Sequence, residues 1–475
     1  MKKKWCALFL GASLLAGISV KAQDNKQLFT NAFQKFVNAG SLTNGIAAVT
    51  IMDSKTGQVV YENNGNLGLP TASTLKVITS ITALDILGPS YTYKTQLYYT
   101  GEIDSLGILQ GDIIIQGSGD PTLGSSRYPE SNEETLLNKW SYHIKNAGIT
   151  AINGRIIGDD LFLNGMNMLN GWNWADMGNY YGAGISGLNW RENKIGIRFK
   201  PGTIGQATPI DYYTANLHGI HVINEVTTAG NGTGDNVTAY SAPYSDVIYL
   251  RGTHGKDLDK TIEISVPDPA LDLAQQLYSA LQKQGVQVDS LCIPTTGKLL
   301  LNQGIKIQGA KTLLNSHQSP PLRDIVYWFN QKSINLYGEA LLKTIGLIAG
   351  NKTNSDEAAR LLAKYWEQKL KVPTSAIVMI DGSGLSPQNR VSTLAMTKIM
   401  HYALNRPWFG DFAKSLPTYN NMSMKSGTIG GTLGYTGYQK SKSGQEFTFS
   451  LLVNNYTGTA TAMRQAMFTF LDNLK

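Results

Sequence analysis

Between Leu69 and Gly88 the chain reads LPTASTLKVITSITALDILG, an apolar helix with a defined beginning and end. Pro70 sets the backbone for the first turn, Thr71 or Ser73 can cap its free N–H groups, and Gly88-Pro89 stops it. Leu75, Ile78, Ile81 and Thr82 recur at three-to-four-residue spacing, and Val77, Leu84 and Leu87 widen the stripe. The rest of the chain is organised around this element. Residues three apart share a helix face, so the Ser73 hydroxyl and the Lys76 amine can touch. A serine hydroxyl becomes a nucleophile when a neighbouring base takes its proton, and a lysine serves as that base where burial or nearby cations lower its pKa. The helix N-terminus favours negative charge developing at the serine. Ser-x-x-Lys is short enough to arise by chance, so its weight depends on what lies downstream.

The 475 residues are enough for two or three domains, and 49 glycines suggest many turns and strands rather than a helical array. Residues 1–22 read as a cleaved secretory signal. Lys2, Lys3 and Lys4 form the basic start, Trp5 to Val20 is apolar or small, and Val20-Lys21-Ala22 suits a signal peptidase, so Gln23 is expected to begin the mature protein. That predicts a periplasmic, soluble product. A peripheral association with the membrane stays open. The formal charge of +7 falls to about +3 without the four lysines of this segment. No Lys/Arg stripe with interleaved aromatics remains, so the composition gives no sign of nucleic-acid binding. Cys6 leaves with the signal and Cys292 stands alone, which rules out an internal disulfide in the exported chain.

In chain order, 25–40 reads as an amphipathic helix, and 45–52 and 58–62 as a hairpin turning at Asp53-Ser-Lys-Thr-Gly57. From about residue 96 to 290 short strands alternate with Gly-rich turns, a strand-rich insert that can hold two subdomains. Within it, 225–236 (EVTTAGNGTGDN) reads as a flexible loop and 270–284 as a closing helix. Helices are then expected at 321–330, 336–348 and 355–370, strands at 377–380, 422–425, 432–439 and 446–454, and a last helix over 461–475. The N-terminal strands and the C-terminal strands can share one sheet, with 96–290 as an excursion.

Two further stretches carry chemistry. Ser333-Ile-Asn335 lies between two predicted helices, where a hydroxyl and an amide can point the same way. Lys425-Ser-Gly-Thr428 sits on a predicted strand, where Lys425 offers a fixed charge, Gly427 admits a close backbone, and Ser426 and Thr428 can bond a carboxylate. The order Ser-x-x-Lys, Ser-x-Asn, Lys-Ser/Thr-Gly is the signature of serine penicillin-recognising enzymes. The chain resembles their type-4 low-molecular-mass penicillin-binding proteins, which are D-alanyl-D-alanine carboxypeptidases and endopeptidases. The likeness extends to Gly119-Asp-Pro-Thr-Leu123, Gly171-Trp-Asn-Trp174, Gly182-Ala-Gly-Ile-Ser-Gly-Leu-Asn189 and Asp381-Gly-Ser-Gly-Leu-Ser386.

The resemblance implies an α+β fold, with a penicillin-binding/β-lactamase-like domain of an antiparallel sheet with helices on both faces, formed by 23–95 and 291–475, and the large strand-rich insert at 96–290. It implies Ser73 as acylated nucleophile, Lys76 as its base, Ser333 as proton relay, Asn335 as a ligand of the substrate amide, and Lys425, Ser426 and Thr428 as carboxylate ligands beside Gly427. The backbone N–H groups of Ser73 and Thr428 would form the oxyanion hole. Peptidoglycan stem peptides are the implied substrate and β-lactams the implied acylating inhibitors, with no metal or organic cofactor. Ile334 replaces the aspartate usual in the second motif, which leaves a weakened, wall-binding scaffold as an alternative; a β-lactamase is disfavoured by the long insert. Asp381-Gly-Ser-Gly384 reads as a bracing turn, Trp172 and Trp174 as core aromatics, and His218 and His221 as structural.

Overall fold

A computed structural model describes residues 26–38, 40–164, 168–169, 171–288, 307 and 309–475. The expected signal segment, Cys6 and Cys292 lie outside the described residues. The chain forms two compact units, the first built from residues up to Thr82 with Ala359–Ile380 and Pro387–Lys475, the second from Ala83–Ala358 with Asp381–Ser386.

The first unit is built on a six-stranded antiparallel sheet. Its order is Val59–Asn63, Ile46–Asp53, Glu446–Asn454, Thr432–Lys440, Met422–Ile429, Thr418–Tyr419. Ile46 pairs with Asn454 and Asp53 with Phe447, so the two ends of the chain close one sheet, as the sequence suggests. The central strands are buried on both faces, which requires helices on each side. On one face Val49, Ile51, Leu451 and Val453 meet Phe29, Phe33 and Phe36 of the helix over 26–37 and Met467 and Phe470 of the Ala460–Leu471 helix. Phe33 and Phe470 cross edge to face with ring centres 5.6 Å apart, a favoured aromatic geometry. On the other face the Thr393–Ala403 helix is tied down by a 2.9 Å Thr50–Thr393 hydroxyl pair and by Thr436 bonding Met400. The predicted α+β class holds.

The second unit has two apolar cores. Leu97, Ile113, Ile115 and Ile156 of a four-stranded sheet pack on Trp140 and Leu277 of the Glu133–Asn146 and Pro269–Lys283 helices. A separate cluster joins Ile195, Ile197, Val226, Ile248, Leu250 and Ile264 from two three-stranded sheets. Here the loop expected over 225–236 is corrected. His221–Ala229 is a strand, parallel to Val247–Gly255, and Asp235–Tyr240 is another. Val226, Thr227 and Thr228 are β-branched residues suited to a pleated surface, and the turn is confined to the glycine-rich link between the strands. Residues 108–116 also split, into Ile108–Gln110 and Ile113–Gln116, which enter different sheets.

One backbone segment of this unit is unusual. Arg191, Glu192 and Asn193 adopt φ of +53°, +57° and +52°, three consecutive non-glycine residues in the left-handed region. Each costs about 1–2 kcal/mol for an L-residue, so other bonds must hold the turn. Asn193 supplies them: its Oδ1 accepts the Trp190 N–H at 2.9 Å, and its Nδ2 donates to Gly184 O at 2.9 Å and Asn189 Oδ1 at 2.8 Å.

Candidate active site

The nucleophile segment begins with a tight 3-10 turn, Ala72–Leu75, which hands over to the Lys76–Leu87 α-helix. The capping expected of Thr71 or Ser73 does not occur. No side chain caps the turn, and the Thr71 hydroxyl is buried without a hydrogen-bond partner. Instead Thr74 bonds back to Thr71 O at 2.7 Å through its hydroxyl, and Ala72 takes φ +45°. A non-glycine residue in that region is strained, and it immediately precedes Ser73. Lys76 is fully buried and its Nζ donates to Ser73 Oγ at 2.9 Å. Ser73 itself is half-buried.

The third motif lies on the Met422–Ile429 strand, directly beside that turn. A Cβ on Gly427 would come within 2.9 Å of Ser73 N, 2.8 Å of Thr74 N and 2.7 Å of Thr71 O. Only glycine lets the strand approach the nucleophile's own N–H so closely. Alternation places Lys425 on the same strand face as Gly427, and Ser426 and Thr428 on the other. Thr418–Tyr419 pairs only with Met422 and Ser423, so within the sheet the far end of the strand has a neighbour on one side alone. Lys425 is buried and donates to Ser426 O at 2.9 Å. Burial brings its ammonium down to about 7. Ser73, Lys76, Lys425, Ser426, Gly427 and Thr428 thus belong to the first unit.

The second motif belongs to the second unit. The Leu322–Lys332 helix ends in Ser333, at φ +56°, and the next helix, Asn335–Gly350, begins two residues on. Ile334 stands at its N-cap in extended conformation and provides no capping group. The Asn335 amide donates to the Tyr181 carbonyl at 2.8 Å. Sequence reasoning missed this contact, since 154 residues separate the partners.

The turn after residue 380 braces this helix pair. Asp381 accepts N–H bonds from Ser383, Gly384 and Ser386 and the Trp172 indole N–H, the last at 2.9 Å. Trp172 is buried as expected, but Trp174 is 57% exposed, against its reading as a core aromatic, because the short Trp174–Met177 helix buries none of its residues. Glu339 accepts from Gly382 N at 3.1 Å and is fully buried. Burial, with the Asp381 charge nearby, lifts its carboxyl to about 8. Two buried acids in one place favour keeping the Glu339 proton.

D-alanyl-D-alanine carboxypeptidase of Actinomadura sp. is 24% identical over 451 residues, covering 88% of this chain and 80% of its own. The DacB carboxypeptidase of Haemophilus influenzae is 24% identical over 425 residues, covering 84% and 83%. The crystal structure of penicillin-binding protein 4 from Haemophilus influenzae superposes with a TM-score of 0.75 at 21% identity, over 94% of this chain and 98% of that one. A second structure of that protein, complexed with a β-lactam, gives 0.70 at 20% identity, over 94% and 98%. With the three motifs in order, and residues 30–474 matching the family as a whole, the chain belongs to the D-Ala-D-Ala carboxypeptidase 3 (S13) family.

Proposed function

We propose that the protein is a serine DD-peptidase that cleaves D-Ala-D-Ala termini or cross-links of peptidoglycan stem peptides through an acyl-enzyme on Ser73. The hydrogen bond between the buried Lys76 amine and Ser73 Oγ carries this reading. Lys76, as general base, takes the Ser73 proton as Oγ attacks the carbonyl carbon of the penultimate D-alanine. The carbonyl electron pair moves onto oxygen, where the N–H groups of Ser73 and Thr428 receive it; such a donor is worth about 3–4 kcal/mol in the transition state. The close approach of the strand to Ser73 N at Gly427 supports this reading.

The oxyanion pair re-forms the carbonyl as the C–N bond breaks, and Ser333 relays the proton held by Lys76 to the departing amine. Asn335 orients the substrate amide, and the Ser426 and Thr428 hydroxyls, which share one strand face, hold the terminal carboxylate, with the Lys425 charge supplied from the other face. Water hydrolyses the ester and restores Ser73. A β-lactam amide is opened by the same attack and remains attached as an ester. Residues 1–22 direct export to the periplasm and are removed before Gln23, which the mass of the mature protein checks.

The test is D-alanine release from a peptide ending in D-Ala-D-Ala. The wild-type protein should release it and Ser73→Ala should not. Turnover undiminished in Ser73→Ala, or none in wild type, would refute the assignment.

A further inference from the structure

The strained turn at Arg191–Asn193 points a buried carboxylate at the helices that meet in the second motif. Glu192 Oε1 accepts from Ser125 Oγ at 2.8 Å, Arg127 Nε at 2.7 Å and Tyr337 OH at 2.9 Å, and Lys194 lies 3.3 Å from Oε2. Tyr337 is on the Asn335–Gly350 helix, two residues after Asn335, and is fully buried. Arg127 reaches the other helix: its guanidinium sits 5.2 Å over the Trp328 ring, on the Leu322–Lys332 helix that ends in Ser333. One ion pair therefore grips both helices on either side of Ser333-Ile-Asn335. Tyr128, next to Arg127, adds a bond to Asp324 O of the first helix at 3.5 Å.

We propose that the Arg127–Glu192 pair is a clamp that sets Ser333 and Asn335 for acylation, with Glu192 and Tyr337 as positioning residues that never touch substrate. Within the motif, the Asn335 amide is tied to the Tyr181 carbonyl, while the cap positions offer no side-chain anchor. Ser333 sits at a left-handed C-cap and Ile334 supplies no cap, so the two helix ends are fixed from outside. A left-handed run of three residues is a high cost for one side chain's direction, and the carboxylate it delivers meets Tyr337. The motif's usual acidic residue is absent, and the Glu192 carboxylate, from a distant stretch of chain, bonds Tyr337 in the first turn of its helix. The proposal rests on Asn335 belonging to the site.

The experiment measures the acylation rate by a fluorescent penicillin, per folded molecule, in Tyr337→Phe, Glu192→Gln, their double variant and Asn335→Ala. Tyr337→Phe removes one hydroxyl and leaves Glu192 its other partners, so the fold should persist. Acylation should slow about tenfold in Tyr337→Phe and in Glu192→Gln, as expected for a misplaced catalytic group. The double variant should be no slower than the worse single, because both changes break one linkage. Wild-type acylation in Tyr337→Phe with only a lowered melting temperature, or multiplying losses in the double variant, would overturn the clamp. Unimpaired Asn335→Ala would overturn the site reading itself, and the clamp with it. An impaired Asn335→Ala beside a normal Tyr337→Phe would overturn the clamp alone.

Discussion

Lys425 is the residue whose charge state decides most in the proposed chemistry. Burial disfavours its ammonium, which titrates near 7 in the free protein. The unfolded chain holds that proton to a much higher pH, so the folded site gives up positive charge as pH rises through 7. The ratio kcat/KM for a D-Ala-D-Ala peptide should therefore fall above about pH 7, the limb reporting the free enzyme. A profile flat to pH 9 would remove Lys425 from carboxylate recognition. Gly427 makes a steric prediction. Gly427→Ala places a methyl against three backbone atoms of the Ser73 turn, none of which is the end of a flexible side chain. Acylation should drop on the order of a hundredfold, with the sheet still formed by circular dichroism. Wild-type labelling would mean that the turn and strand part without consequence. Ser73 and Lys76 were legible in sequence because three-residue spacing on a helix is local. Glu192 was not, since neither Arg191 nor Glu192 announces a left-handed turn.

At the scale of elements, the Asn335–Gly350 helix and the 381–386 turn act as one piece. A Cβ on Gly382 would strike Gly338 O at 2.1 Å, so the turn lies directly on the helix. Glu339 bonds the same Gly382 and is held neutral by burial and by Asp381. The unfolded carboxyl ionises near its ordinary 4.5 and the folded one near 8. Between these values the native state carries the extra proton, so this group's contribution is fully present below pH 4.5 and is lost as pH rises through 8. Glu339→Gln should flatten the decline of melting temperature across that window. An unchanged slope would assign the decline to other groups. The bracing turn could be read from Asp381-Gly-Ser-Gly384, because Asp followed by glycines is turn chemistry in itself. Its partner Trp172 could not, lying 209 residues away. The strand over His221–Ala229 was hidden for a related reason: glycine and asparagine after it suggest a loop, while its partner Val247–Gly255 is supplied by tertiary pairing.

On the scale of the whole molecule, the sheet that joins residue 46 to residue 454 explains why a chain of this length can interrupt its own fold. Once the ends are zipped, a long excursion costs little more than a short one, because closure entropy grows slowly with length. Deleting the Ala460–Leu471 helix should unfold the first unit, since Met467 and Phe470 share the aromatic cluster of Phe29, Phe33 and Phe36. A folded, penicillin-labelled truncation would show that the sheet needs no cover on that face. The sheet was readable in advance because both termini carry strand patterns with helical ends. The second unit divides its apolar residues between two cores, and the alternation of short strands with glycine turns from about residue 96 gave the sign of it. The proposed chemistry makes one lasting bond, from the protein to an opened β-lactam ring. Peptide mapping by mass spectrometry after brief penicillin exposure should find the adduct on Ser73 and nowhere else, and Ser73→Ala should carry none. An adduct on another residue, or none on a folded protein, would contradict the account.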